Sequence, residues 1–205
     1  MKRQALLSVL VWVVMVFGAW TLHSTGPATA VTSGKAYFAG GCFWCMEEAF
    51  EKVEGVLFVT SGYMGGTVAN PSYEEVSAGR TGHAESVEVV YDQAKVSYQT
   101  LLEAFWRNVD PITPNAQFCD HGSQYRSAIF FQTDEEKRAA DSSMQAIEQS
   151  KRLNGPIVTQ IVPSAQFYPA EEYHQDFYKK NPVRYKFYKY NCGRAQRLEE
   201  LWGKP

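Results

Sequence analysis

Between Lys35 and Gly55 the chain passes from a short strand pattern, Lys35–Ala39, through Gly40-Gly41 into a helical pattern that opens on Cys42 and runs through Glu48, Phe50 and Val53. A strand that becomes a helix across two glycines requires a domain holding both kinds of element. It also forces a sharp turn just before the cysteine. The rest of the chain repeats the mixture. Val56 to Tyr63 is strand-like, Met64 to Thr81 is a loop rich in Gly, Pro and Asn, and Ala84 to Tyr91 alternates as a strand. Ser97 to Val109 spaces Leu101, Leu102, Phe105, Trp106 and Val109 as a helix does. After a loop from Asp110 to Gln124 comes a strand over Arg126 to Gln132, and Thr133 with Glu136 spells a capping box for a helix ending near Gly155. Ile157 to Val162 is a strand, Glu171 to Lys180 a short helix stopped by Asn181-Pro182, and Arg184 to Pro205 has no clear period. The pattern predicts an α+β fold: helices packed on a mixed, mostly antiparallel sheet, with an irregular C-terminal tail.

The first thirty residues stand apart. Lys2 and Arg3 precede an uncharged run, Ala5 to Trp20, and a more polar stretch ends in Ala28-Thr29-Ala30. A basic start, an apolar run and a small-x-small site read as a secretory signal peptide over residues 1–30, leaving 31–205 as an exported soluble domain, periplasmic or extracellular. The alternative is an uncleaved N-terminal membrane anchor. With 205 residues, 45% of them apolar, and no repeat or linker after Ser33, one domain with one sizeable core is expected. A formal charge of −2 argues against a general nucleic-acid binder.

Chemistry concentrates around Cys42. A cysteine at a helix start lies beside unpaired N–H groups and the positive end of the helix dipole, which favours a reactive thiolate over a small buried hydrophobe. Cys42 and Cys45 also spell C-x-x-C, although the elements that follow do not run in thioredoxin order, and zinc would need two more ligands where Cys119 and Cys192 stand alone. Glu85 alternates with Val87, Val89 and Tyr91 onto one strand face, so apolar surroundings would keep its carboxyl protonated as a general acid. Against this stands a strand-end carboxylate reaching water. Tyr73 and Tyr125 lie in the two long loops, Asp120 either orients a catalytic group or braces its loop, and His174 sits on a short helix.

Gly41-Cys42-Phe43-Trp44, Gly62-Tyr63-Met64-Gly65-Gly66, Asn70-Pro71-Ser72-Tyr73, Gly82-His83-Ala84-Glu85 and Gly122-Ser123-Gln124-Tyr125-Arg126-Ser127 follow one another in that order. The set resembles the A-type peptide methionine sulfoxide reductases from about Lys35 to Trp202. The resemblance implies a two-layer α/β sandwich, no metal or organic cofactor, and reduction of the S epimer of methionine sulfoxide, free or in proteins, as a repair of oxidised proteins. Carried over, Cys42 is the nucleophile, Phe43 and Trp44 hold the substrate methyl group, Glu85 is the acid, and Tyr73 and Tyr125 help bind the sulfoxide oxygen. Asp120 and His174 line the same site. The family commonly carries resolving cysteines in the tail, which points to Cys192 as the partner of a Cys42 sulfenic acid, with Cys119 structural. Cys45 stands where many relatives have Gly and is the competing resolver. If the helix begins at Cys42, that closure would need its first turn to unwind. A thioredoxin-like electron donor and a monomer complete the expectation. The alternatives are a thioredoxin-like thiol–disulfide oxidoreductase using Cys42-Cys45 and a secreted aromatic-rich binding domain.

Overall fold

The computed structural model describes residues 32–204, so the predicted signal segment lies outside the described residues. The strands are β1 (Ser33–Gly40), β2 (Val56–Met64), β3 (Ala84–Asp92), β4 (Ala116–Gln117), β5 (Asp120–His121), β6 (Ser127–Phe131), β7 (Gln160–Pro163) and β8 (Tyr168–Pro169). The helices are α1 (Phe43–Glu51), α2 (Tyr73–Ser77), α3 (Tyr98–Arg107), α4 (Asp134–Gln149), α5 (Phe177–Lys180), α6 (Pro182–Asn191) and α7 (Arg194–Trp202). Six strands form one sheet in the order β7-β6-β1-β3-β2-β8, while β4 and β5 pair separately. Neighbours in the main sheet are antiparallel except β6 and β7, which gives the predicted mixed, mostly antiparallel α+β architecture.

One sheet face carries the principal core. Phe38, Val87, Val89, Tyr91 and Ile129 meet Phe43, Met46 and Phe50 of α1 and Leu101, Leu102, Phe105 and Trp106 of α3. The α1 residues fall at helical spacing, which is why this stretch buries one side as a helix. Phe38 sits between two rings, 4.8 Å from Phe50 and 5.3 Å from Phe105. Phe38→Ala is therefore expected to cost about 3–5 kcal/mol of folding free energy, read from a denaturant titration. A smaller cluster, Ala39, Met64, Ala84, Ala128 and Phe130, lies apart from that core, with Tyr37, Val162 and Phe167 packed on it. Ser86 and Asp92 of β3 are buried as well as the alternate residues.

One predicted loop, one predicted helix and the tail differ from expectation. The Met64–Thr81 loop contains α2, opened by a full capping box between Ser72 and Glu75. The tail is not irregular: α6 and α7 occupy it, joined through Cys192 and Gly193. Glu171–Lys180 is a 3₁₀ turn, Glu172–His174, followed by α5 rather than one helix.

Candidate active site

The double glycine does its work at Gly41, whose φ of +79° is left-handed, and a Cβ there would collide with Gln117. The turn leaves Cys42 at φ −50°, ψ 116°, so it is the N-cap of α1 and outside the helix proper. Its carbonyl accepts from the backbone N–H of Cys45 at 3.1 Å and of Met46 at 3.3 Å. The next backbone donor, Phe43 N–H, points to the Glu85 carboxylate, 3.0 Å away. That bond fastens the start of β3 to the start of α1, one residue from the cysteine.

Cys42, Phe43, Trp44, Tyr73, Glu85, Asp120, Tyr125 and Tyr188 line one small pocket of about 60 Å³. A wider groove of about 380 Å³ between α3, α4 and α7 is lined by Trp106, Arg107, Ser143 and Trp202. It lacks a free nucleophile, since the Ser143 hydroxyl accepts from Trp106 Nε1 and donates to the Ala140 carbonyl. Chemistry rather than size marks the site.

Seven of the residues singled out in the sequence therefore converge. Tyr73 is held through its backbone N–H, which donates to Glu171 at 2.8 Å, and the same carboxylate takes the Tyr63 hydroxyl at 2.8 Å. His174 stands behind the pocket wall rather than in it. Its Nδ1 accepts from Trp44 Nε1 at 3.1 Å and its ring packs on Tyr73 and Phe43, because the 3₁₀ turn carries it under these rings. Burial lowers its pKa, consistent with a neutral ring that braces Trp44. Trp44 is clamped on its other side by Phe177, stacked at 3.7 Å.

Tyr188 is the pocket residue the sequence reading missed. Its hydroxyl donates to Asp120, and its ring lines the same pocket as Cys42. It comes from α6, in the segment expected to be irregular. Cys192, expected as the resolving partner of Cys42, is bonded to Cys119 across 73 residues. Cys119 is therefore not a lone buried hydrophobe. Phe118, Cys119 and Asp120 meet Arg194, Cys192 and Tyr188 in turn, so three successive residues tie the β4–β5 hairpin to the tail. Cys42 and Cys45 are the free thiols among the described residues, and both are buried.

Burial dominates the electrostatics. It pushes Glu85 up to about 8, against the opposing pull of the Phe43 N–H, so the carboxyl holds its proton at neutral pH. The Glu85 environment predicted from alternation is thus present, and the water-exposed alternative is not. Burial raises Tyr73 to about 12 and Tyr125 further, keeping both as hydroxyl donors. It also raises Cys42, followed by its hydrogen bond with Cys45. Cys45 is lowered to about 6, first by the bond from Cys42 and then by Arg194, Tyr185 and Lys189.

Two groups of candidate metal ligands also come together. Glu47, Glu51 and Asp176 form one, but Lys179 pairs with two of these three carboxylates. In the other, Cys119, Asp120 and Cys192, the sulfurs are bonded to each other.

A family model described as peptide methionine sulfoxide reductase matches residues 34–205. The peptide methionine sulfoxide reductase MsrA of Halalkalibacterium halodurans is 49% identical over 170 residues, covering 83% of this chain and 97% of its own. Among solved structures, reduced Mxr1 of Saccharomyces cerevisiae superposes with a TM-score of 0.68 at 32% identity, covering 73% of this chain and 86% of that one. Methionine sulfoxide reductase A of Corynebacterium diphtheriae gives 0.65 at 33% identity, covering 74% and 76%.

Proposed function

The chain belongs to the peptide methionine sulfoxide reductase family and reduces methionine S-sulfoxide to methionine, and we propose that it does so by attack of Cys42 on the sulfoxide sulfur with Cys45 closing the resulting sulfenic acid. The observation that carries this reading is the Glu85 carboxyl, protonated by burial and bonded one residue from the nucleophile. A sulfoxide becomes electrophilic when its oxygen is protonated, and Glu85 is placed to supply that proton. The neutral hydroxyls of Tyr73 and Tyr125 steady the oxygen, while Phe43 and Trp44 wall the methyl group. Asp120 accepts from the Tyr188 hydroxyl and so holds that ring in the pocket beside Cys42. As Cys42 attacks, it releases its thiol proton, which replaces the one Glu85 gives to the sulfoxide oxygen. Methionine leaves and the oxygen stays on Cys42 as sulfenic acid.

Cys45 suits the second step for a geometric reason. Cys42 is the N-cap and Cys45 lies at the third helical position, an arrangement in which side chains meet across the first turn without unwinding it. Cys192 is already engaged with Cys119. One equivalent of substrate should therefore yield one methionine and a Cys42–Cys45 linkage in unreduced peptide maps, with the R epimer untouched. A first linkage between Cys42 and Cys192 would restore the tail cysteine to the resolving role, and turnover of the R epimer would overturn the site reading.

A thioredoxin-like dithiol is the proposed electron donor, because a dithiol opens a disulfide by exchange without a cofactor. Export is proposed from the residue 1–30 pattern, and the Cys119–Cys192 bridge suits an oxidising compartment. The mass of the native N-terminus tests cleavage after Ala30; an intact Met1 would favour the membrane anchor.

A further inference from the structure

Glu47 breaks the pattern of its helix. Phe43, Met46 and Phe50 form the buried stripe of α1, and the position one turn after Phe43 holds a carboxyl in a residue that is 1% exposed. Among the described residues no cation pairs with it; Lys179 takes Glu51 and Asp176 instead. A buried acid without an ion pair is costly unless it is hydrogen-bonded. Glu47 Oε1 accepts the backbone N–H of Asp176 at 3.0 Å, and Oε2 accepts the Ser61 hydroxyl of β2 at 3.3 Å.

The first of these bonds holds a tight turn. Asp176 stands at φ +53°, a left-handed conformation that carries strain for a residue with a Cβ. Its neighbour Gln175 is tied down as well: the side-chain amide accepts from the Ser61 N–H and donates to the Ser61 carbonyl, each at 2.9 Å, as a paired strand would. The residues on either side of this pair both meet Trp44. His174 accepts from the indole Nε1 at 3.1 Å, and Phe177 stacks on the ring at 3.7 Å with the planes 8° apart. Two anchors in the middle and two contacts at the ends make residues 174–177 a clip closed on one indole. Glu51, one turn beyond Glu47, also reaches α5, through Tyr178 and the half-exposed Lys179, where water weakens the ion pair.

We propose that Glu47 is a positioning residue that sets the width of the methyl pocket, acting through Asp176 and Phe177 on Trp44. The inference rests on the reading of Trp44 as a wall of that pocket; Glu47 itself does not line it. Without the Glu47 acceptor the Asp176 N–H loses its partner, the left-handed turn loses its hold, and Phe177 no longer presses on the indole. A pocket walled by a loose ring admits a group larger than methyl.

The test compares kcat/KM for the S sulfoxides of methionine and of its S-ethyl homologue, with dithiothreitol as reductant, in the full-length protein. The variants are Glu47→Met, Glu47→Gln and Trp44→Leu. One methylene in a fitted apolar pocket is worth roughly 10–200-fold, and the wild type should prefer methyl within that range. Glu47→Met, similar in length but without the acceptor, should narrow the preference roughly tenfold. Glu47→Gln, whose amide oxygen still accepts from Asp176, should restore most of it. The indole N–H resonance of Trp44, assigned by its disappearance in Trp44→Leu, should shift in Glu47→Met and stay in place in Glu47→Gln. A preference unchanged in Glu47→Met but lost in Trp44→Leu overturns the proposal, as does Glu47→Gln behaving like Glu47→Met. An equal fall in rate on both substrates marks a merely structural residue and overturns it too. Should Glu47→Met fail to fold, Glu47→Asp decides: its carboxyl is one methylene short of the Asp176 N–H, and a wild-type preference there overturns the proposal. A preference kept in Trp44→Leu would instead fail the reading of Trp44 as the wall. The Trp44 resonance in Glu47→Met then judges the clip by itself, an unmoved resonance overturning that as well.

Discussion

Cys42→Ser is expected to release no measurable methionine from the S-sulfoxide, a loss on the order of 10⁴-fold or more, because an alcohol cannot replace the thiol as nucleophile. The fold should not suffer. Cys42 is an N-cap without a side-chain cap bond, and serine is among the favoured residues there, so the variant should unfold at or slightly above the wild-type temperature. Loss of turnover with retained stability separates chemistry from damage. Substantial residual turnover would transfer the nucleophile to Cys45 and revive the thiol–disulfide oxidoreductase alternative, which the family match over residues 34–205 otherwise displaces.

Glu85→Gln should lower turnover by roughly 10²-fold, the low end of what general acid catalysis supplies. The amide still accepts from the Phe43 N–H but has no acidic proton to give. In the wild type, turnover should fall as pH rises through about 8 and Glu85 ionises, and the variant should lose this limb. The stability of the variant should change in the opposite sense to its turnover. The folded-state pKa lies above the ordinary 4.5, so the contribution of Glu85 is complete below that value and is lost as pH rises toward 8. Near neutral pH the buried proton costs about 3 kcal/mol relative to an ionised unfolded carboxylate, so Glu85→Gln should be more stable than wild type there. A variant with near-normal turnover and an unchanged alkaline limb would remove Glu85 from the acid role.

The elements whose apolar residues fall on one face were readable from the chain alone. Leu101, Leu102, Phe105 and Trp106 all face the core from α3, and Val87 and Val89 do so from β3. The same alternation placed Glu85 among buried groups. α6 hid because it is apolar on both sides: Tyr185 is buried while Val183, Phe187 and Tyr190 are exposed, which erases the period. With that helix went Tyr188, one of twelve tyrosines and unmarked by any spacing. The Ser72 capping box was written in the sequence, but a five-residue helix inside a Gly-rich loop has too short a pattern to register. The Cys119–Cys192 pairing could not be read from spacing, since four cysteines admit three connectivities or none. The surroundings of Cys42 and Cys45 were out of reach for another reason. They depend on which neighbours burial brings in, and Arg194 reaches α1 from 148 residues beyond Met46.

That distance sets an order of events during synthesis. Cys42 is among the first residues of the described domain to leave the ribosome, while Tyr188 and Arg194 are among the last. A half-made chain carries both thiols of the pair but lacks the cover that closes over them and the cation set beside them. Contacts so far apart in sequence form slowly, because a large loop must close first. Until α6 and the start of α7 dock, the emerging polypeptide is a bare dithiol, open to stray oxidation and to pairing with the wrong cysteine. Competence as a catalyst arrives in one step, when the tail reaches the helix that was made first.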